Sequence, residues 1–266
     1  MLRRLGEDLV MAFGFLTRLP IPAFKVREDR KLGEAFWAFP LAGLVVGMVA
    51  GGVLWLCLWF GLGSPVAAII ALAVLTLLTG AMHEDGLADF WDGLGGGRTR
   101  ERKLEIMRDS HIGTYGVMAL LLCYLALVAL LSELVHRLTS GVPGQSVVGL
   151  PGDNVIAFVA IASMLARAMI VIPAMVLPIA RDDGLAKLFG RPGPGALVAT
   201  VLWPVVLGAL ILPELAIPLV LGSALGAVLV TALARRYLGG VTGDVFGASI
   251  MTSFVGGHLF SVVWLS

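Results

Sequence analysis

The hydrophobic residues of this chain come in blocks of roughly 17 to 25, the length at which an α-helix crosses a hydrocarbon layer about 30 Å thick. Strands or a single buried core do not need such blocks, because soluble elements must keep a wetted face. The blocks predict seven spans, at about 39–60, 65–82, 116–132, 154–178, 196–212, 215–234 and 245–265. With only 14% charged residues in 266 and a mean hydropathy of +0.95, the chain has too little charge to wet the outside of such a bundle. The expected fold class is all-α: a polytopic transmembrane helical bundle, one integral membrane domain over 1–266. Its partner is the lipid bilayer, and no nucleic acid is implied.

The breaks carry their own signals. Pro65 follows a Gly-Leu-Gly-Ser turn, Pro192 and Pro194 sit in a glycine-rich loop, and Pro213 separates two blocks too long to be one span. Pro173, Pro178, Pro204 and Pro218 are expected to kink or end helices. Residues 7–19 are too short to cross and are read as an interfacial or half-inserted helix. Arg3 and Arg4 precede a mixed stretch with Glu7 and Asp8 and no small-residue cleavage signal, so a removable signal peptide is not expected. Gly43, Gly47 and Gly51 keep a four-residue spacing, the pattern that lets membrane helices approach closely. Cys57 and Cys123 each lie alone in an apolar block and read as small hydrophobes rather than a disulfide or zinc pair.

Seven spans force the connecting segments to alternate sides, and the positive charges follow that alternation. The N-terminal segment and the 83–115, 179–195 and 235–243 loops hold 17 of the 19 lysines and arginines. Arg137 falls opposite and Arg167 within a span. The positive-inside rule therefore places those segments in the cytoplasm, and with them every acid except Glu133, Asp153 and Glu214. A site built from carboxylates faces the cytoplasm.

Such a cluster begins where the second span ends, at His83-Glu84-Asp85-Gly86-Leu87-Ala88-Asp89-Phe90-Trp91-Asp92-Gly93. On a helix, Asp85, Asp89 and Asp92 at i, i+4 and i+7 share one face, with Glu84 adjacent. Like charges on one stripe repel unless a cation lies between them, and an all-oxygen donor set selects hard ions such as Mg²⁺ or Mn²⁺. Asp244 at the start of the last span is a further candidate ligand or a helix cap, and His83 a catalytic base or a helix-end histidine. Gly95, Gly96 and Arg98 lie in a glycine-rich stretch whose amides could cradle phosphate. Arg108, Asp109, Ser110 and Thr114 crowd polar groups before the third span. Arg181 and Lys187 flank an echo of the Asp-Gly-Leu-Ala run. Arg167, costly in lipid, should face the bundle interior and pair with a structural anion or a substrate phosphate.

Five segments, Phe15 to Pro22, Phe39 to Gly43, His83 to Gly97, Asp109 to Gly116 and Gly239 to Gly247, together resemble the cobalamin synthase (adenosylcobinamide-GDP ribazoletransferase) family over nearly the whole chain. The resemblance implies a magnesium-dependent transferase of the last assembly step of cobalamin biosynthesis in the cell inner membrane. It would join a corrinoid nucleotide, adenosylcobinamide-GDP, to α-ribazole or its 5'-phosphate and release GMP. On that reading Glu84, Asp85, Asp89, Asp92 and Asp244 hold the metal, while His83, Asp85 and Asp89 serve catalysis. Arg18, Arg98, Arg108, Arg181 or Lys187 neutralise phosphates. Association with other cobalamin-assembly enzymes or with a second copy of the chain is left open.

Two rivals differ in placement of charge. A CDP-alcohol phosphotransferase would also carry helix-borne aspartates but would release CMP. A transporter would put acids near mid-bilayer on broken helices in two related halves, whereas here they lie at the edge.

Overall fold

A computed structural model of the chain describes residues 2–21, 31–140, 153–181, 189 and 192–266. Lys187 and the echo of the Asp-Gly-Leu-Ala run before it lie outside the described residues. The helices are α1 (Leu2–Leu16), α2 (Phe39–Trp59), α3 (Ser64–Thr79), α4 (Met82–Gly96), α5 (Arg100–Ile106) and α6 (Thr114–Ser140), followed by α7 (Asp153–Ala168), α8 (Val171–Val176), α9 (Pro194–Ile211), α10 (Ala216–Tyr237) and α11 (Gly243–Trp264). A 3-10 segment, Leu32–Ala38, leads into α2. The all-α expectation holds, and among the described residues the only extended pairing is a single parallel bridge between Ile179 and Val241.

Six helical stretches among the described residues are long and apolar enough to cross a bilayer; α3 and α4 qualify only as a pair, bent by 91°. The second span thus ends earlier than the sequence predicts, at Thr79 rather than near 82. Gly80 and Ala81 both take left-handed backbone, with φ of 66° and 58°. Two such residues in succession stop α3 and restart the chain across its end. Glycine accepts this freely, while for Ala81 it costs about 1–2 kcal/mol that the surrounding packing must offset.

Lipid accounts for the outside of the bundle. Trp59, Phe60, Leu77 and Leu210 are 68 to 75% exposed, which a water-facing surface would not tolerate so densely. The inside depends on small residues. A Cβ on Gly43 would stand 2.6 Å from the Ser163 carbonyl, on Gly47 2.8 Å from Ala160 Cα, and on Gly51 3.0 Å from Ile156 Cα. The glycine stripe is therefore the seam along which α2 crosses α7, the most deeply buried span. Gly47→Leu must wedge these helices apart and is expected to lower the unfolding midpoint in detergent by roughly 2–10 °C, read by tryptophan fluorescence. A second seam joins α10 to α11, where Gly222 and Gly256 meet backbone to backbone.

The N-terminal helix is tied to the bundle. α1 packs on the 3-10 segment and α2, burying Ala12 and Leu16, and Asp8 accepts a hydrogen bond from Trp37 Nε1 at 2.9 Å. Trp203 of α9 in turn donates to the Trp37 carbonyl at 3.0 Å. Pro173 lies in the short α8, which ends before Pro178, and Pro218 falls in the first turn of α10. Pro204 is accommodated inside α9 without ending it.

At one end of the bundle the three charged loops meet. The Val241 amide donates to the Pro178 carbonyl at 2.8 Å, and the Ala180 amide to the Val241 carbonyl at 3.0 Å. Arg100 of α5 clamps the pair, donating from Nε to the Leu238 carbonyl and from a terminal nitrogen to the Ala180 carbonyl, both at 2.7 Å. The Glu133–Arg137 pair, 2.6 Å apart, sits toward the far end of α6.

Candidate active site

The acidic motif lies on α4, which restarts after the Gly80-Ala81 turn and therefore runs across the end of α3 rather than along it. What holds it there is the absence of a side chain at Gly86: a Cβ would come within 3.1 Å of Gly247 Cα and of the Asp244 carbonyl. This contact sets α4 directly against the first turn of α11, and Asp85 and Asp244 line one cleft as a result. Thr242 caps α11, accepting from the Val245 amide at 3.3 Å and donating to Asp244 Oδ2 at 3.1 Å. The Ile179–Val241 bridge brings Arg181 alongside, and its guanidinium lies 3.4 Å from Asp244 Oδ2.

The carboxylates expected to act together divide into three sets. Asp85, exposed, and Asp89, half-buried, belong with Asp244. Burial, followed by the charges of Asp244, Asp85 and Asp92, pushes the Asp89 carboxyl up to about 7, against the opposing pull of Arg181. Asp92 is buried and accepts from the Gly113 amide at 2.7 Å and the Gly116 amide at 2.8 Å, tying the start of α6 to α4. Glu84 turns into the interior, where Oε1 accepts from the Thr76 hydroxyl at 3.0 Å and the Tyr124 hydroxyl at 2.7 Å. The same interior holds Arg167, fully buried, which donates to the Ser163 carbonyl at 3.0 Å and hydroxyl at 2.7 Å. Its charge faces that of Glu84, consistent with an inward-pointing arginine.

His83 is buried on the cleft wall, and among the described residues neither ring nitrogen has a hydrogen-bond partner. Burial and then the charge of Arg167 hold its pKa well below the usual histidine value, so the ring is neutral.

Among the described residues, no three His, Cys, Asp or Glu side chains surround one point closely enough to cage a metal ion. Asp85, Asp89 and Asp244 act on one another through their fields across an open cleft. The donor set still fits magnesium, which usually takes only one or two protein carboxylates and fills its octahedron with phosphate oxygens and water.

The basic and glycine-rich groups also fall into place. Arg18 drapes over the α3–α4 bend: its amide donates to the Leu78 carbonyl at 2.7 Å, and a Cβ on Gly80 would clash with its Nε. The expected glycine loop is instead the last turn of α4, so the amides of Gly95 and Gly96 belong to a helix rather than to an open cradle. Tyr115 covers Gly95, and Lys103 donates to the Leu94 carbonyl at 2.7 Å and to that of Gly97. Arg98, Arg108, Ser110 and Thr114 are exposed around the turns that flank α5. Asp109 shapes the turn before α6, accepting from the His111 amide at 3.0 Å and the His111 ring at 2.7 Å, which holds its carboxyl below the usual range. Arg100 and Lys103 are positioning residues that nothing in their charged surroundings distinguishes in the sequence. Tyr124, a lone polar group within an apolar block, did carry a signal.

A protein-family model described as cobalamin-5-phosphate synthase matches residues 8–262. The chain belongs to this family. The matched stretch includes every element around the cleft, from the end of α1 to α11. Three relatives are each named adenosylcobinamide-GDP ribazoletransferase. That of Bradyrhizobium diazoefficiens is 40% identical over 249 residues, covering 93% of this chain and 90% of the relative. That of Rhizobium etli (strain CIAT 652) is 40% identical and covers 91% of each chain, and that of Mesorhizobium japonicum is 39% identical and covers 99% and 96%. No solved structure matches. Cobalamin-5-phosphate synthase membership agrees with the resemblance carried by the His83 to Gly97 run.

Proposed function

We propose that this chain joins adenosylcobinamide-GDP to α-ribazole, or to its 5'-phosphate, with magnesium bound at the α4–α11 cleft. The products are adenosylcobalamin, or its 5'-phosphate, and GMP. The observation that carries this reading is the cleft between Asp85 and Asp244 at the charged end of an apolar bundle, in a chain matched by the family over residues 8–262. A ribose hydroxyl oxygen bonds to the corrinoid-proximal phosphorus, the bond from that phosphorus to the bridging oxygen breaks, and GMP leaves with the electron pair.

Asp85 and Asp244 are the proposed ligands. The ion, Mg²⁺ or Mn²⁺ in its place, would supply Lewis-acid stabilisation of the charge growing on the phosphate oxygens. Arg181, 3.4 Å from Asp244, would be placed to pair with a phosphate if Asp244 held the ion. Arg18, Arg98 and Arg108, all exposed, are the further candidates to neutralise phosphate. Glu84 and Asp92, expected in the sequence as ligands, act in this proposal as supports that hold α4 against α6.

Asp89 takes the hydroxyl proton. A base with a pKa near 7 is matched to neutral pH, whereas His83, buried and hard to protonate, is poorly suited. Because the Asp89 pKa is raised, its proton is kept below about 7 and lost above it, so kcat/KM is expected to climb tenfold per pH unit on the acid side and level off above about 7. Increasing Mg²⁺ should move that limb to lower pH, and Asp89→Asn should lower the rate and erase the limb. An unchanged pH profile in that variant would remove Asp89 from the role.

We place the chain in the cell inner membrane, and the positive charges on the cleft side support a site that faces the cytoplasm. The direct test is purified chain in detergent with both substrates and Mg²⁺. GMP and the joined corrinoid should appear in equal amounts. CMP release from a CDP-lipid in the absence of that product would point to lipid synthesis instead.

A further inference from the structure

Arg181 lies on the segment after α8, outside any helix, and reaches the carboxylates from there. Its guanidinium stands 3.4 Å from Asp244 Oδ2 and 3.4 Å from the Leu104 carbonyl of α5. Both contacts are long for hydrogen bonds to nitrogen, so the side chain itself is loosely held. Its backbone is held firmly. The Ala180 amide, one residue before, donates to the Val241 carbonyl at 3.0 Å, and the Ala180 carbonyl accepts from Arg100 at 2.7 Å. Arg100 Nε holds the Leu238 carbonyl at 2.7 Å on the other segment. The pairing it spans is tight: a Cβ on Gly240 would stand 2.8 Å from Ala180 Cα. Gly239, with φ of 68°, turns the chain beneath Arg100, whose Nε a Cβ there would meet at 3.1 Å. The helix that carries Arg100 is in turn fastened to the acidic helix. Lys103 of α5 donates to the Leu94 and Gly97 carbonyls at the end of α4 and lies 5.5 Å from the centre of the Tyr237 ring. Asp244 does not depend on this strap, because Thr242 caps its helix and Gly86 sets α11 against α4.

We infer that Arg100 is a positioning residue for Arg181, and that the Arg181 guanidinium takes the diphosphate of the GDP-linked substrate beside the carboxylates. The inference deepens the proposed reaction and rests on it. A guanidinium presents its donors in a rigid planar fork, which suits it to bridge either two backbone carbonyls or two phosphate oxygens. Arg100 spends Nε and one terminal nitrogen on carbonyls from segments on either side of α9 and α10. Arg181, with two long contacts, keeps its fork for an anion. The consequence is a division of roles between two arginines: Arg100 acts through the backbone of Ala180, and Arg181 touches the substrate.

The test is a double-substitution cycle on the full chain in detergent, read by GMP release. Arg181→Met should raise KM for adenosylcobinamide-GDP about tenfold, the size expected of a lost charge-assisted hydrogen bond. Arg100→Met keeps the stem and removes the fork; Arg100 is exposed, so water can take over its two carbonyls and the bundle should purify intact. It should raise the same KM about fivefold, leave KM for α-ribazole and the half-saturating Mg²⁺ within about twofold, and add less than about twofold when residue 181 is already methionine. Arg100→Lys, which keeps a cation without the fork, should fall between the unaltered chain and Arg100→Met, and carries the same cycle should Arg100→Met not purify. An unchanged KM in the Arg100 variants, an equal loss in both backgrounds, or an effect confined to the Mg²⁺ curve would overturn the positioning role. An unchanged KM in Arg181→Met would overturn the phosphate contact. Each of these results leaves the reaction intact, whereas no GMP from the unaltered chain would remove the reaction and the inference together.

Discussion

Asp85→Asn is expected to lower kcat for GMP release by about 10³-fold or more while the protein still inserts and purifies as a folded bundle. Asp85 is exposed on α4, so the amide should cost little stability. The loss falls on chemistry. A neutral amide contributes no charge to hold a cation beside Asp244, and metal stabilisation of a phosphoryl-transfer transition state is worth several kcal/mol, at about 1.4 kcal/mol per tenfold in rate. Steady-state GMP release in detergent, with size-exclusion chromatography as the folding control, measures both. Activity within tenfold of the unaltered protein would mean that the acid at 85 is not a ligand.

Gly86→Val should lose roughly 10²-fold in activity without removing any functional group. Its Cβ would stand 3.1 Å from Gly247 Cα and from the Asp244 carbonyl, and valine adds two methyl groups beyond it. The atoms it meets are all backbone of α11, which no side-chain rotation can relieve, so α4 must retreat from α11. That separates Asp85 from Asp244, and misplacement of about 1 Å at a reacting centre costs on the order of 10²-fold. The Mg²⁺ needed for half-maximal rate should rise as well, because the ligands no longer face one another. Gly86→Ala, with one methyl, should show the same direction and a smaller loss. Normal kinetics in the valine variant would show that the α4–α11 approach does not set the site.

The spans were legible because bilayer thickness imposes a length on every crossing helix, and the glycine stripe because close helix approach needs a fixed spacing. Asp85 and Asp89 were legible as a pair because one helical turn separates them. The destinations of their neighbours were not. A carboxylate in a motif reads the same whether it faces an ion, as proposed for Asp85, a pair of backbone amides, as Asp92 does, or two buried hydroxyls, as Glu84 does. The direction each one takes is set by the 91° bend at Gly80 and Ala81. The second span was expected to run through Gly80 to about 82, and neither that glycine nor the left-handed alanine beside it was read as a break.

Long-range pairing was similarly hidden. Arg181 meets Asp244 only because the segment after α8 pairs with the one before α11, an arrangement set by backbone hydrogen bonds and the Arg100 clamp rather than by any motif. The glycines after Asp92 read as a loop because glycine is a poor helix former in water. Here they remain helical and provide the clearance that Met107 and Tyr115 need to pack against α4.

The claim on which the rest depends is that anionic groups of α4 and α11 share a divalent cation that activates the diphosphate. Its most direct test is the Mg²⁺ dependence of GMP release after chelator treatment, compared between the unaltered chain and Asp244→Asn. The expected result is no turnover without a divalent ion, saturable recovery with Mg²⁺, and at least a tenfold higher half-saturating concentration in the variant. Turnover that survives chelation, or the same Mg²⁺ curve in both proteins, would contradict the account.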